Sequence, residues 1–394
     1  MQMRRMTMKD RRWYRHAPQR ARTTMERPLR IGIVLHDFAL GGTERIAVRL
    51  AVAWVEAGAR VTIFCGSMNG PLIGLLHHSV EVISAKPAIP RGPGSRRKLG
   101  KAAAAFWSRQ PVDALFVPGN FHWETVPATA ALPAEIRPAI IAQVSASLDK
   151  PQRGRLRQWG FGLRMRRLLQ GADAIVALFD QARDAADRIA GGRRATTIAL
   201  PALADDVTSP RPIPSNRTIM AAGRLVPEKG FADLIDAFAL LDDHDARLVI
   251  VGDGPDRKVL IDRAAARGVS DRLILPGYVA DIRPWLDDAR LFVLSSHFEG
   301  YPAVMVEALA AGRPVIATRC TAAAAPLIEG SGSGAVVPIG DPAAMARAIA
   351  AQLKAPDPDP RMLADCVAHH RIGPVAEAYM ALFEQASAAR KIVI

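Results

Sequence analysis

From Leu29 onward, short and almost wholly apolar runs alternate with helix-length amphipathic stretches, and the alternation breaks off once and then restarts. LRIGIVLH (29–36), RVTIFCG (60–66), VEVISA (80–85), DALFVPG (113–119), AIIAQVS (139–145), AIVAL (174–178) and ATTIAL (195–200) read as strands. A strand that is apolar on both faces must be covered on both faces, and a parallel sheet flanked by helices does this. PALADDVTSPRPIPSN (201–216), with four prolines and no apolar period, then interrupts the pattern and reads as an interdomain linker.

The second series is TIMAAG (218–223), ARLVIVG (246–252), RLILPGYV (272–279), LFVLSS (291–296) and PVIAT (314–318). After its first strand, Phe231, Leu234, Ile235, Phe238 and Leu241 fall on one helical stripe that faces a core. DPAAMARAIAAQL (341–353) begins with Asp at the N-cap and Pro at the first helical position. PDPDP (356–360) breaks the chain before a last helical pattern around 374–388. The expected class is α/β, with two doubly wound Rossmann-like domains facing across a cleft. The division is a basic disordered tail (1–28), an N-terminal domain (29–205), a C-terminal domain (206–372) and a terminal helix (373–394).

Three cysteines, Cys65, Cys320 and Cys366, are far apart and form no CxxC, so they read as free thiols of a reducing compartment. The basic N-terminus lacks the apolar stretch of a secretory leader, and no later run reaches the ~18 apolar residues of a membrane-spanning helix. Charge is divided unevenly. Residues 1–30 carry 10 Lys/Arg against 2 Asp/Glu, residues 31–205 carry 22 against 13, and residues 206–394 carry 20 against 23. The runs KPAIPRGPGSRRKLGK (86–101) and KPQRGRLRQWGFGLRMRR (150–167) contain no acid. They read either as solvated loops or as a face for an anionic lipid or phosphorylated partner. Nucleic acid is the weakest of the three, because these runs hold few aromatics and match no recognition module.

In open parallel sheets ligands bind beyond the carboxyl ends of the strands, so the chemistry is sought there. Gly41-Gly42 follows the first strand and opens a helix, either as a tight turn or as a place where backbone amides approach an anion. Arg224 and Lys229 lie together in the loop GRLVPEKG (223–230), where two cations can neutralise a diphosphate or, more blandly, solvate a turn. Asp253 in VGDGP reads either as a contact to a ribose or base or as an ordinary turn residue before glycine, and is left out of the primary site. EGYPAVMVE (299–307) puts Glu299 on a turn and Glu307 about one turn into the following helix, with Pro302 at the expected first helical position. The amides of about Tyr301 to Met305 are then free donors. A ligand with a diphosphate in its middle and hydroxyls at both ends, a nucleotide-sugar, satisfies this set.

With GGTE (41–44), GRLVPEKG, VGDGP (251–255), PGYV (276–279) and the Glu-x7-Glu of EGYPAVMVE in this order, the chain resembles the retaining GT-B glycosyltransferases of family 4, also called glycosyl transferases group 1. The likeness runs over about residues 29–385 and is strongest from 218 to 345. It implies that Arg224 and Lys229 bind the donor diphosphate and stabilise leaving-group charge. Glu299 would hold sugar hydroxyls and Glu307 the ribose. Gly41 and Gly42 would let the N-terminal domain approach the donor, Tyr278 and Val279 would lie near the base, and Gly300, Tyr301, Pro302 and Ala303 would line the donor turn. Arg224, Lys229 and Glu299 are the implied catalytic residues.

The resemblance also implies retention of anomeric configuration, no metal or other cofactor, and transfer of a hexose-type sugar to a lipid-linked or surface-polysaccharide acceptor, as in lipopolysaccharide biosynthesis. Many relatives carry a histidine after the strand that here reads AIIAQVSAS (139–147). This chain has Gln143 to Ser147 there, and His122 is the nearest histidine by sequence. A non-hydrolysing epimerase of the same fold and an inactive membrane-docking homologue are the alternatives. The excess positive charge of the N-terminal half leads to an expected place in the cytoplasm, peripheral on the inner face of the cytoplasmic membrane.

Overall fold

A computed structural model of the 394-residue chain describes residues 27–39, 41–145, 148, 154–192, 194–206 and 209–393. The expected basic tail therefore lies outside the described residues except at Arg27 and Pro28.

The N-terminal sheet consists of β1 (Arg30–Leu35), β2 (Arg60–Cys65), β3 (Glu81–Ser84), β4 (Ala114–Val117), β5 (Ala139–Val144), β6 (Ala174–Ala177) and β7 (Ala195–Thr197). All pair in parallel, in the order β3-β2-β1-β4-β5-β6-β7. The C-terminal sheet contains β8 (Thr218–Ala222), β9 (Arg247–Val251), β10 (Leu273–Gly277), β11 (Leu291–Leu294), β12 (Val315–Thr318) and β13 (Gly334–Val337). Its order is β10-β9-β8-β11-β12-β13, again parallel. Strand order reverses between β1 and β4 in one sheet and between β8 and β11 in the other, and at each reversal the flanking loops diverge to leave a crevice.

Helices cover both faces of each sheet. In β1, Ile31, Ile33 and Leu35 pack towards Trp54, while Val34 faces the opposite cluster with Trp107 and Trp123. A Cβ on Gly32 would lie 2.9 Å from the Trp107 ring, so glycine in the central strand makes room for the indole. The expected stripe Phe231, Leu234, Ile235, Phe238 and Leu241 is buried in one cluster. Asp341 caps the helix Pro342–Lys354 by accepting from the Ala344 amide at 2.8 Å. The strand β13 is absent from the sequence reading. Its four residues GAVV are an edge strand, only Val337 is fully buried, and the short run does not stand out from the small residues around it.

The proline-rich linker is held in place rather than loose. Arg313 is fully buried, and its guanidinium donates to the carbonyls of Ala289 (3.1 Å), Pro212 (3.1 Å) and Arg211. Where the chain returns from the second domain, Leu203 and Arg371 form a parallel bridge, with Leu203 N donating to His370 O and Ile372 N to Leu203 O. The last helix, Ile372–Val393, then lies on the first domain. Trp54 Nε1 donates to Ala376 O at 3.3 Å, Gln143 Nε2 to the Tyr379 hydroxyl at 2.8 Å, and Ser387 Oγ to Asp113 O at 2.9 Å. Tyr379 and Phe383 are buried against Trp54 and Phe116, with the Trp54 and Phe383 ring centroids 5.0 Å apart.

The crossing helix is thus part of the N-terminal core. Phe383→Ala should lower unfolding stability by about 3–5 kcal/mol, the usual cost of emptying a large aromatic site. Urea unfolding checks this, and a change below about 1 kcal/mol would show that the helix is only peripherally attached.

Candidate functional site

The loop after β8 and the loop after β11 are pressed together. Gly230 has φ +62°, and a Cβ there would sit 2.1 Å from the Ser295 carbonyl oxygen, so only glycine permits this approach. Ser295 Oγ donates to Lys229 O at 2.8 Å, and His297 N donates to Glu228 O at 2.8 Å. This contact brings Lys229 Nζ to 2.5 Å from Glu299 Oε1, which also accepts from Ser296 Oγ at 2.8 Å. The Glu299 side chain is 13% exposed and that of Lys229 27%, so the pair lies at the floor of the crevice within reach of a solute. Arg224, six residues after the start of β8, is exposed, and no described residue pairs with its guanidinium.

Beyond Glu299 the structure corrects the sequence reading by one residue. Pro302, with ψ 85°, is the N-cap, and the helix starts at Ala303. Two of the amides expected to be free are engaged, Ala303 N with Tyr301 O and Met305 N with Pro302 O. Among the described residues no backbone carbonyl accepts from the amides of Gly300, Tyr301 or Val304. These three donors stand at the positive end of the helix Ala303–Ala310, which suits an anion.

Glu307 is the fifth residue of that helix and is half-buried. Burial pushes its carboxyl up to about 7, against the pull of Arg49 and Arg45. Both arginines belong to the first helix of the other domain, Gly42–Glu56, so the two domains face each other here. Arg49 is held by Ala202 O, to which it donates at 2.9 Å. Tyr301 turns its hydroxyl inward and donates to His370 Nε2 at 3.0 Å, while His370 Nδ1 donates to Leu200 O at 2.8 Å. The turn 300–303 is thereby tied to both interdomain crossings. Val279, after β10, packs with Tyr301, Ala303 and Val304 against one apolar cluster, whereas Tyr278 is 62% exposed.

On the N-terminal side, Gly41 is the N-cap of the first helix, and a Cβ on it would collide with Glu44 Oε2 at 2.0 Å. A Cβ on Gly42 would meet nothing within 4 Å, so that position is open to the cleft. Glu44 and Asp37 are both held by Arg91, at 2.7 and 2.5 Å. His122 is buried and fully engaged by backbone, its Nδ1 donating to Pro118 O (2.6 Å) and its Nε2 accepting from His36 N (3.1 Å). It pins the end of β1 to the end of β4 and has no atom left for a ligand. Burial holds its imidazole down to about 4. Gln143 points away from the cleft to Tyr379, and Ser145 is bonded to Asn120. Ala146 and Ser147 lie outside the described residues.

The structure therefore unites Lys229 with Glu299 directly, while Arg224 lies in the same loop as Lys229, and the 300–303 turn and Glu307 follow Glu299 on the loop and helix after β11. Sequence reasoning missed Ser296, Arg45, Arg49 and His370. Arg45 carried a signal: a cation in the first turn of a helix opposes the helix dipole and calls for an outside partner. The three thiols are free, and burial pushes each up to about 11, which leaves them protonated and unreactive near neutrality.

Residues 216–355 match the family model described as glycosyl transferases group 1, and residues 41–202 match that of the glycosyl transferase 4-like domain. The chain is 39% identical over 131 residues to the lipopolysaccharide core biosynthesis glycosyltransferase LpsE of Rhizobium meliloti, a stretch that is 33% of this chain and 38% of that protein. It is 37% identical over 118 residues, 29% of this chain and 20% of the relative, to the Vi polysaccharide biosynthesis protein VipC/TviE of Salmonella typhi. These alignments span well under half the length of those relatives. Among solved structures, Anabaena HepE with UDP and glucose superposes at a TM-score of 0.70 with 18% identity, over 91% of this chain and 100% of that one. Sucrose-phosphate synthase from Thermosynechococcus elongatus superposes at 0.71 with 20% identity, over 92% and 100%. At these identities the structures establish the fold.

The raised Glu307 pKa has a consequence for stability. The folded chain keeps a proton on Glu307 between the ordinary carboxylate value of 4.5 and about 7, where the unfolded chain has released it. Stability should therefore fall as pH rises through that window. Glu307→Gln removes this contribution. The change in unfolding free energy between about pH 5 and pH 8 should be smaller in the variant than in the wild type, as read by urea titration. Equal changes would place the proton elsewhere.

Proposed function

The chain belongs to the glycosyl transferases of group 1, and from that premise we propose that it is a retaining enzyme that moves a hexose-type sugar from a nucleotide-diphosphate sugar to a lipid-linked or surface-polysaccharide acceptor. The observation that carries this reading is the Lys229–Glu299 pair beside the exposed Arg224, at the strand reversal of the second sheet. On this reading the donor lies along the crevice. Arg224 and Lys229 meet its diphosphate, the Gly300 and Tyr301 amides reach phosphate oxygens, Glu299 accepts from sugar hydroxyls, and Glu307 accepts from the ribose.

The bond that breaks joins the sugar C1 to the diphosphate oxygen, and the bond that forms joins C1 to the acceptor oxygen on the same face. The acceptor proton passes to the departing diphosphate. Positive charge builds on the sugar ring and negative charge on the leaving group. Two fixed cations at the diphosphate stabilise the second of these without having to reorganise. Lys229 is already oriented by Glu299, and Glu299 by Ser296, so the group that meets the leaving charge and the group that holds the sugar are positioned by one hydrogen-bonded chain. No protein nucleophile and no resident metal or cofactor is part of this scheme; what supports it is the presence of these cations where the charge develops.

The N-terminal domain, with its positive balance, is assigned the acceptor, and the enzyme a place on the cytoplasmic face of an anionic membrane. Polysaccharide or lipopolysaccharide biosynthesis is the setting, supported by the names of the sequence relatives LpsE and VipC/TviE. Among the described residues no helix is long and apolar enough to cross a membrane. A UDP-linked hexose is the first donor to try, since HepE of the same fold was crystallised with UDP-glucose.

Titration calorimetry against UDP, GDP, ADP and their sugars tests the donor site. One nucleotide should bind, and Arg224→Ala with Lys229→Ala should lose it. Either single variant should lower transfer or donor hydrolysis by about 10²–10³-fold, on the scale of a lost oxyanion donor, about 2.7–4 kcal/mol. A folded protein that binds none of these ligands would overturn the reading.

A further inference from the structure

The helix Arg155–Leu169 has two apolar faces where a surface helix needs one. Met165, Leu168 and Leu169 are buried against the N-terminal sheet, with Phe161 packed beside them. On the opposite side Leu156, Trp159 and Leu163 are 85%, 68% and 48% exposed. Their spacing of three and four residues sets them in a single stripe. Among the described residues, the exposed tryptophan between two exposed leucines, on the side turned away from the core, has no role in packing.

The surroundings of the stripe say what covers it. The helix contains no Asp or Glu, and Arg157, Arg164, Arg166 and Arg167 are all exposed. The second acid-free run joins it here. Arg97, from the neighbouring helix Ser95–Trp107, and Arg164 both reach towards Glu124, at 3.9 and 3.5 Å, and remain 75% and 61% exposed. Two basic runs that are far apart in sequence thus flank one apolar stripe. Apolar side chains at the centre with guanidinium groups at the margin match the boundary between acyl chains and anionic headgroups.

The stripe also stands next to the cleft. Gln158 Nε2 donates to Leu148 O at 2.8 Å, which ties the first turn of the helix to the residues just beyond the carboxyl end of β5. Leu156 and Trp159 are in or next to that turn, and so near the carboxyl end of β5.

We propose that Leu156, Trp159 and Leu163, flanked by Arg97, Arg157 and Arg164, form the element that seats the protein on an anionic bilayer. The three apolar side chains enter the acyl boundary and the arginines meet the phosphates. This goes beyond a general attraction of the basic half to negative charge. It names the inserting residues, and it orients the cleft mouth towards the surface from which a lipid-linked acceptor would be taken. It rests on the function proposed above only for that acceptor, because vesicle binding is read without any transfer reaction.

The test is co-sedimentation with phosphatidylcholine vesicles and with vesicles containing phosphatidylglycerol, alongside Trp159 fluorescence. The wild type should bind the anionic vesicles, with a blue-shifted emission quenched by brominated lipid, and Trp159→Phe should remove that shift. Trp159→Glu with Leu163→Glu should abolish insertion while circular dichroism and nucleotide binding are kept. Each of Arg157→Gln and Arg164→Gln should weaken binding about fivefold, the effect expected for one basic residue at such a surface, and the loss should shrink at high salt.

Binding of the double-Glu variant equal to that of the wild type would overturn the proposal in favour of basic residues elsewhere, as would equal binding to neutral and anionic vesicles. A wild-type dimer that the double-Glu variant dissolves, without vesicle binding by either protein, would make a second copy the occupant instead. Loss of nucleotide binding in the wild type with vesicle binding intact would refute the donor site and leave this surface standing.

Discussion

A side chain at residue 230 would need space that the Ser295 carbonyl already fills, at 2.1 Å. That single close approach lets the loops after β8 and β11 run against each other, and the Lys229–Glu299 pair exists only because they do. Parallel strands with reversed order leave a crevice in any doubly wound sheet. Here the crevice has a charged floor because glycine at one position lets a lysine and a glutamate, 70 residues apart in the chain, share a hydrogen bond. The backbone geometry comes first and the electrostatics follow from it.

The second constraint is that two separate domains must present their strand ends to each other. The chain crosses between them twice, and both crossings are fastened. Arg313 holds the outward linker through buried carbonyls, and the Leu203–Arg371 bridge fastens it to the return strand. The last helix then completes the aromatic cluster of the first domain through Tyr379 and Phe383. His370 joins this frame to the turn 300–303, since it accepts from Tyr301 and donates to Leu200. A shift of the turn therefore strains a buried hydrogen-bonded histidine, and a hinge motion pulls on the turn.

Much of this was legible because parallel strands covered on both faces are apolar at every position. The strands of the first domain and the first five of the second appear in the sequence as such runs, within two residues of their ends except at β7, which stops at Thr197, three residues before the end of its run. β13 did not, since a four-residue edge strand opening with glycine contributes little burial. Candidate-site residues were legible where a motif places them on a loop after a strand, as with Arg224, Lys229 and Glu299. Those contributed by facing surfaces were not. Arg45 and Arg49 face Glu307 only after two domains have docked, and Ser296 reaches Glu299 through the local turn. His122, close to a strand end by sequence, is consumed by backbone bonds that no spacing rule reveals.

The two glutamates of the motif end in different surroundings, and this difference bears on what each can hold. Glu299 has a cation in direct contact and a hydroxyl beside it, so its charge is already compensated and its remaining lone pairs are oriented. Glu307 has no ion pair among the described residues. Burial acts on it more strongly than the cations across the cleft, which places its carboxyl near 7. A carboxylate in that condition gains most from neutral hydroxyl donors, which satisfy its oxygens without another charge being buried. A vicinal diol is such a partner, whereas a phosphate would meet repulsion. On the function proposed above, the donor diphosphate would fall between the two glutamates, where Arg224, Lys229 and the free amides of the turn supply the positive charge.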